Sequence, residues 1–189
     1  MRLAILTACA AFAAMPAVAN EFEPTMRDYL ESHVRSWAQS PVLIEAIRAM
    51  NAERAGFDQT MIDQMDQAWR SEVGSGARPT IDPIIDNPAA DFLREQVAAS
   101  GGQITEVFIM DEHGLNVAAS ALTSDMWQGD EDKFQMSYGA GSDGVHISDV
   151  ELDESTQRYQ GQISVTITDP ETGEAIGAMT VGVDAESLL

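Results

Sequence analysis

The chain has 189 residues, 44 % of them apolar, with 10 Lys and Arg against 31 Asp and Glu, a formal net charge of −21 at pH 7. That length and apolar content suffice for one domain with its own core and argue against wholesale disorder. With Lys133 as its single lysine, the chain lacks the cationic footprint needed to grip a nucleic-acid backbone or an anionic membrane surface.

Met1 to Ala19 reads as a secretory signal peptide. Arg2 gives the positive start, Leu3 to Ala14 is an apolar run broken only by Thr7, and Ala17-Val18-Ala19 has the small-x-small form a signal peptidase requires. The run is shorter than the roughly 20 apolar residues of a spanning helix, and no later stretch reaches that length. Leu6-Thr7-Ala8-Cys9 has the form of a lipoprotein box, the alternative outcome, but only eight residues precede Cys9, too few for both a positive start and an apolar run. Cleavage after Ala19 would leave 170 residues with nine basic and 31 acidic side chains, a charge of −22, and no cysteine. Disulfides, thiolate metal sites and cysteine nucleophiles are then excluded, and the core alone must stabilise the fold.

The front half of the mature chain is patterned as helices. Glu23 to Ala38 carries Met26, Tyr29, Leu30, Val34 and Trp37 near a 3.6-residue period. Ser40-Pro41 starts a second helix, with Ser40 as N-cap, Pro41 at the first position and Leu43, Ile47 and Met50 as its inner stripe. Asp58 caps a third, Phe57 is placed to staple onto Ile62, and Met65 and Trp69 continue that face. Gly, Pro and Asp between Gly74 and Asn87 predict a loop anchored by Ile81, Ile84 and Ile85. Asn87-Pro88 starts a fourth helix with Phe92, Leu93 and Val97 inward, ended by Gly101-Gly102.

The back half is patterned as strands. Ile104 to Met110 is nearly continuous apolar, as in a central strand, and Asp111-Glu112-His113-Gly114 turns it into Leu115 to Ala119. A short strand is expected at Val145 to Ile147. Gln162 to Thr168 alternates, with Ile163, Val165 and Ile167 on one face and Gln162, Ser164, Thr166 and Thr168 on the other. Asp169-Pro170-Glu171-Thr172-Gly173 leads into a last strand, Ala175 to Val183. Helices first and an antiparallel meander second predict an α+β domain.

The run Glu106-Val-Phe-Ile-Met-Asp111-Glu-His-Gly114-Leu-Asn-Val-Ala resembles the first hairpin of extracytoplasmic PAS-like sensor domains, the Cache (PDC sensor) family. Thr123-Ser-Asp-Met-Trp127-Gln-Gly129-Asp130-Glu131 is similar to the family's segment after the second strand. Val165 to Gly173 and Ile176 to Asp184 are similar to its closing hairpin, and the helical segments from Pro41 and Ile62 suit its N-terminal region. Two departures stand out: Met126 occupies a position where an aromatic is common, and the chain ends at Leu189, where a membrane receptor of the family would continue into a transmembrane helix. The resemblance implies a PAS-like antiparallel sheet with N-terminal helices packed on one face, residues 20–28 forming a lead-in and 29–188 one sensor-like domain. It also implies a small-molecule pocket between the sheet's concave face and the segment after strand two.

In that pocket an aromatic wall beside carboxylates suits an amine or quaternary ammonium. Trp127 and Tyr159 are the candidate walls, Asp125 and Asp130 the candidate ammonium partners, Gln128 an orienting group, and Gln162 and Ser164 part of the floor. Each has a plain structural role beside it: Trp127 as a core plug, Asp130 to Asp132 as the charged start of a helix, and the Gln162 to Thr168 face as solvated surface. Asp149-Val-Glu151-Leu-Asp153-Glu154 lacks the glycine and terminal Glu of an EF-hand, and His33, His113 and His146 show no zinc spacing. Gly74-Ser75-Gly76 lacks the strand-turn-helix context of a nucleophile elbow. The expectation is an exported domain, periplasmic or secreted, without membrane insertion, metal, cofactor or catalysis. It binds a small polar metabolite, amine or amino-acid-like, and acts through a membrane sensor or transporter. The alternatives are an interaction or structural module with a degenerate pocket and a secreted enzyme.

Overall fold

The computed structural model describes residues 20–153 and 158–188. The signal peptide expected at 1–19, with Cys9, and Glu154 of the acidic run lie outside the described residues.

The helical layer begins with α1 (Glu23–Tyr29) and α2 (Arg35–Ala38), joined through a π-helical turn, Leu30–Val34, where a regular helix was expected. In α3 (Pro41–Arg54), Pro41 takes the first position, and Leu43, Ile44 and Ile47 are buried. The Asp58 carboxylate accepts from the Met61 N–H at 3.0 Å and caps α4 (Gln59–Glu72), as its place before the apolar stripe predicts. The loop after α4 is closed by Glu72, whose Oε2 accepts from the Thr80 and Ile81 N–H groups at 2.8 and 3.0 Å. Burial raises the Glu72 carboxyl, but these bonds and the charge of Arg78 outweigh it and leave the group below its ordinary range. Ile81 and Ile84 are the expected buried anchors, and the chain between them coils into α5 (Asp82–Ile85). Asn87 caps α6 (Pro88–Ala99) through the Ala90 N–H, and Gly101 and Gly102, both at positive φ, turn the chain into the sheet.

Among the described residues six strands form one antiparallel sheet in the order β2 (Asn116–Ala119), β1 (Ile104–Met110), β6 (Ala175–Asp184), β5 (Arg158–Thr168), β3 (Val145–Ile147), with β4 (Glu151–Asp153) also paired to β5. This is the expected PAS-like α+β arrangement. β5 starts four residues earlier than its alternation suggests, and β4 falls in the acidic run whose spacing does not make an EF-hand. The two sheet faces differ. Val107, Ile109, Ile163, Val165, Ile167, Val181 and Val183 face the helices and form the main core with Met26, Leu30, Leu43, Ile47 and Leu93. The opposite face carries Phe108, Met110 and Ala178, covered by Phe134 of α7 (Asp132–Gln135), and a polar strip along β5. A second cluster of Ile62, Trp69, Ile81, Ile84, Leu115 and Met126 joins α4 and α5 to the end of the first hairpin.

Two ion pairs tie helices to sheet turns. Arg54, 3 % exposed at the end of α3, donates at 2.6 Å to Oδ2 of Asp111, which is fully buried, and at 3.2 Å to the Asn116 carbonyl. Asp111 Oδ1 accepts from the His113 and Leu115 N–H groups at 2.9 and 3.0 Å, so one carboxylate closes the β1–β2 turn and anchors it to the helix. Arg48 donates to both oxygens of Asp169, pinning α3 to the β5–β6 turn.

Asp111→Ala strands the Arg54 charge in the interior and frees two amides. The expected loss is about 3–5 kcal/mol in urea unfolding, and a loss below about 1 kcal/mol contradicts the role given to this pair. The Asp169 carboxyl is lowered to about 2 by the Arg48 hydrogen bonds and then by the Glu171 N–H. Because the folded value is below the unfolded one of about 3.9, the pair stabilises the fold above about pH 4, and its contribution is lost as pH falls from there toward 2. Asp169→Asn protein is expected to show a shallower fall of melting temperature across that window than the unmodified chain.

Candidate functional site

Strand alternation builds the floor of a groove on the sheet face away from the helices. With Ile163, Val165 and Ile167 turned to the core, Gln160, Gln162, Ser164 and Thr166 fall on the other face. The upper part of that strip is closed. Thr166 Oγ1 donates to the Gly141 carbonyl at 2.8 Å, and Ser164 and Thr180 share a hydroxyl hydrogen bond at 3.0 Å, all three side chains buried. The lower part is open and forms a groove of about 830 Å³. Gln160 and Gln162 lie on its floor, His146 to Asp149 with Glu151 and Leu152 on one side, and Asp130 to Lys133 on the other.

The groove is acidic. Among the described residues Asp130, Glu131, Asp132, Asp149 and Glu151 line it, against one cationic side chain, Lys133. Lys133 is 15 % exposed and engaged: Nζ lies 2.9 Å from Glu131 Oε2, donates to Gln128 Oε1 at 3.0 Å, and sits 5.5 Å from the centre of the Phe108 ring. Among the described residues no three His, Asp or Glu side chains converge closely enough to hold a metal ion.

The wall bearing Asp130 to Lys133 is positioned from behind by the segment after β2. Gly114 at φ +79° lets the first hairpin meet this segment backbone to backbone, since a Cβ there would come within 2.5 Å of Gly129 Cα. The Gln128 N–H donates to the Gly114 carbonyl and the Asn116 N–H to the Met126 carbonyl, extending the hairpin by an isolated bridge between Leu115 and Trp127. From the helical side, Asp66 Oδ1 accepts from the Met126 and Trp127 N–H groups at 3.0 and 3.1 Å, and Trp69 Nε1 donates to the Thr123 carbonyl at 3.0 Å. Asp66 also pairs with Arg70 at 2.8 Å, and Arg70 reaches Asp125 at 3.4 Å.

The residues expected in the site are therefore dispersed over three layers. Asp130 and Gln162 line the groove. Gln128 is buried just behind its wall, holding Lys133 with one end and the Asp125 carboxylate with the other, at 2.6 Å. Asp125 lies behind Gln128, against Arg70 of α4. Trp127 packs beside the Ile62 and Trp69 cluster and donates its indole N–H to the His113 carbonyl at 2.9 Å. Tyr159 is 51 % exposed near the start of β5, outside the groove lining, and Ser164 is sealed under the closed part of the sheet. Lys133, His146, Glu151 and Gln160 line the groove without having been singled out for it. Gln160 had a readable signal, because it continues the Gln162 to Thr168 alternation one step toward the N-terminus.

No protein-family model matches the sequence, and no curated protein matches it. Among solved structures, the sensor domain of the histidine kinase DctB from V. cholerae is similar over 88 % of this chain and 53 % of its own length, at 13 % identity and a TM-score of 0.47. The ligand-binding domain of the Campylobacter jejuni chemoreceptor Tlp3 in complex with L-norvaline is similar over 93 % of this chain and 65 % of its own, at 17 % identity and a TM-score of 0.43. That of the Pseudomonas aeruginosa amino acid chemoreceptor PctC in complex with GABA is similar over 89 % and 62 %, at 12 % identity and a TM-score of 0.38. The chain thus spans roughly half to two thirds of the length of each. No described helix is long and apolar enough to cross a membrane.

Asp66 is the main helical tether of the groove wall. Asp66→Ala removes the acceptor of two partly buried amides and is expected to cost about 1–3 kcal/mol, with amide exchange at Met126 and Trp127 speeding up more than at the β5–β6 ladder. Equal acceleration at both places contradicts the tether.

Proposed function

We propose that this chain is an extracytoplasmic Cache-type sensory domain. Its groove binds a small cationic or zwitterionic metabolite, amine or amino-acid-like, without turning it over, and a partner protein at the membrane reads the occupancy. The observation that carries this reading is the charge of the groove: among the described residues five carboxylates face a space of about 830 Å³, and the one cationic side chain, Lys133, is already held by Glu131 and Gln128. That volume suits a ligand of metabolite size. An anion would meet a predominantly repulsive rim, whereas a cation is drawn in by the summed field. The resemblance of the hairpin and closing-strand segments to sensor domains supports the sensory role, and the signal-peptide pattern supports export.

The wall also supplies a route from occupancy to shape. A ligand ammonium on Asp130 competes with the contacts that set the Asp130 to Lys133 stretch. That stretch is tied through Gln128 and Asp125 to Arg70 on α4. Binding that favours one arrangement of these side chains shifts the population of the α4 contact, which is the physical content of a sensor.

A thermal-shift panel of amino acids, amines, carboxylates and purines tests the reading. Amines or amino acids are expected to raise the melting temperature, by an amount equivalent to about 2.7 kcal/mol at one hundred times Kd, and added salt is expected to weaken them. Asp130→Asn with Glu151→Gln should lower affinity at least tenfold while leaving the ligand-free melting temperature nearly unchanged. Stabilisation by carboxylates alone, or by nothing in the panel, overturns the proposal.

A further inference from the structure

Lys133 Nζ is held from three directions. Glu131 Oε2 lies 2.9 Å away, Gln128 Oε1 accepts from it at 3.0 Å, and the Phe108 ring centre is 5.5 Å off. The amide contact cannot be reversed end for end. Gln128 Nε2 donates to Asp125 Oδ1 at 2.6 Å and to the Asp125 carbonyl at 3.2 Å, and both of those oxygens only accept. The amide nitrogen is therefore committed to Asp125, and the amide oxygen faces the ammonium. Asp125 is fixed in turn: the Ser124 hydroxyl donates to its Oδ1 at 2.9 Å, and Arg70 of α4 stands 3.4 Å from its Oδ2. Gln128 is buried, so this latch sits behind the wall and not in the groove.

We propose that Gln128 is a positioning residue that keeps Lys133 from competing with the ligand. It latches the chain's single lysine to the wall and leaves the groove carboxylates to an incoming cation. This rests on the groove being the binding site. Lys133 lines the same space as Asp130, Asp132, Asp149 and Glu151. A lysine is a compact charge on a flexible four-carbon stem. Released from the wall, it would pair with those carboxylates as a tethered group, at an effective concentration on the order of millimolar. An amine would then have to displace it. Glu131 does not suffice as the latch. Its side chain is 40 % exposed, and ion pairs with a solvated partner hold weakly. Glu131 also lines the groove, so a lysine held by it alone stays within reach of the other carboxylates. The competing account is that Gln128 serves only to satisfy Asp125 and fill the wall, with no bearing on where the lysine goes.

Isothermal titration of the full chain with putrescine, ethanolamine and tyramine separates the two accounts. For each amine that binds, Gln128→Met, which keeps the side-chain length but removes both amide contacts, is expected to weaken binding at least fivefold. Adding Lys133→Met to that variant should restore the affinity to at least that of the unmodified chain. Lys133→Met alone should bind the amine no more weakly than the unmodified chain. Asp125→Asn, which lets either end of the Gln128 amide face the lysine, is the milder variant and serves where Gln128→Met does not fold. It is expected to weaken binding at least twofold, and Lys133→Met should again restore it. A smaller loss, a loss that persists in the double variant, or weaker binding by Lys133→Met alone overturns this inference while the groove remains the binding site. If none of the three amines binds, this inference fails, and the proposed function falls with it where amino acids fail as well.

Discussion

The buried contact between Arg54 and Asp111 is the constraint from which the rest of the molecule can be followed. Asp111 spends one oxygen on the amides of its own turn and the other on the helix that packs beside it. Once that turn is fixed, the His113 carbonyl is aimed at the Trp127 indole, and the Gly114 carbonyl is aimed at the Gln128 amide. Gln128 in turn orients Lys133 at the edge of the groove. A charge pair withdrawn from water is not a cheap source of stability, because desolvation offsets most of the attraction. What it supplies here is uniqueness: the pair is satisfied in one placement of the hairpin relative to α3, and the groove wall inherits that placement.

The sheet is used in two ways at once. Its helical face is a run of Val, Ile and Met, packed as any core is packed. Its other face is graded: apolar under Phe134, hydroxyl-rich and sealed around Ser164 and Thr180, then amide-lined and open at Gln160 and Gln162. The stability of the strands therefore comes from one side, and the other is free to carry polar groups that would be costly in a core. β5, the longest strand among the described residues, is paired with β6 from Gln160 to Thr168 and with β3 and β4 on its far edge. The floor of the groove is thus rigid, and adaptability is left to the walls.

Much of this was legible in the sequence because local rules dominate locally. The Asp58 and Asn87 caps, the Ile163-Val165-Ile167 face and the tight turn at Asp111 to Gly114 all follow from spacing and side-chain chemistry within a few residues. The site was less legible, and the reason is long-range. Trp127 and Asp125 look like ligand groups beside Gln128 and Asp130, but α4 supplies Asp66, Trp69 and Arg70 from roughly 60 positions away and takes both for the fold. Lys133 reads as the charged start of a short helix, and only the position of the Phe108 ring and Gln128 places it at the groove. The β4 strand was hidden because Glu and Asp are poor strand formers, and only pairing with β5 overrides that preference.

Lys133 has one further consequence. It is the only lysine in the chain, so apart from the terminal amine the groove wall holds the molecule's one primary amine. Acylating reagents, which attack such groups wherever they find them unprotonated and accessible, have a single internal target, and that target sits beside the cavity, screened by Glu131 and Gln128. Chemical labelling, indiscriminate on most proteins, becomes on this one a local gauge: the rate at which Lys133 is modified reports how tightly the wall is closed around it.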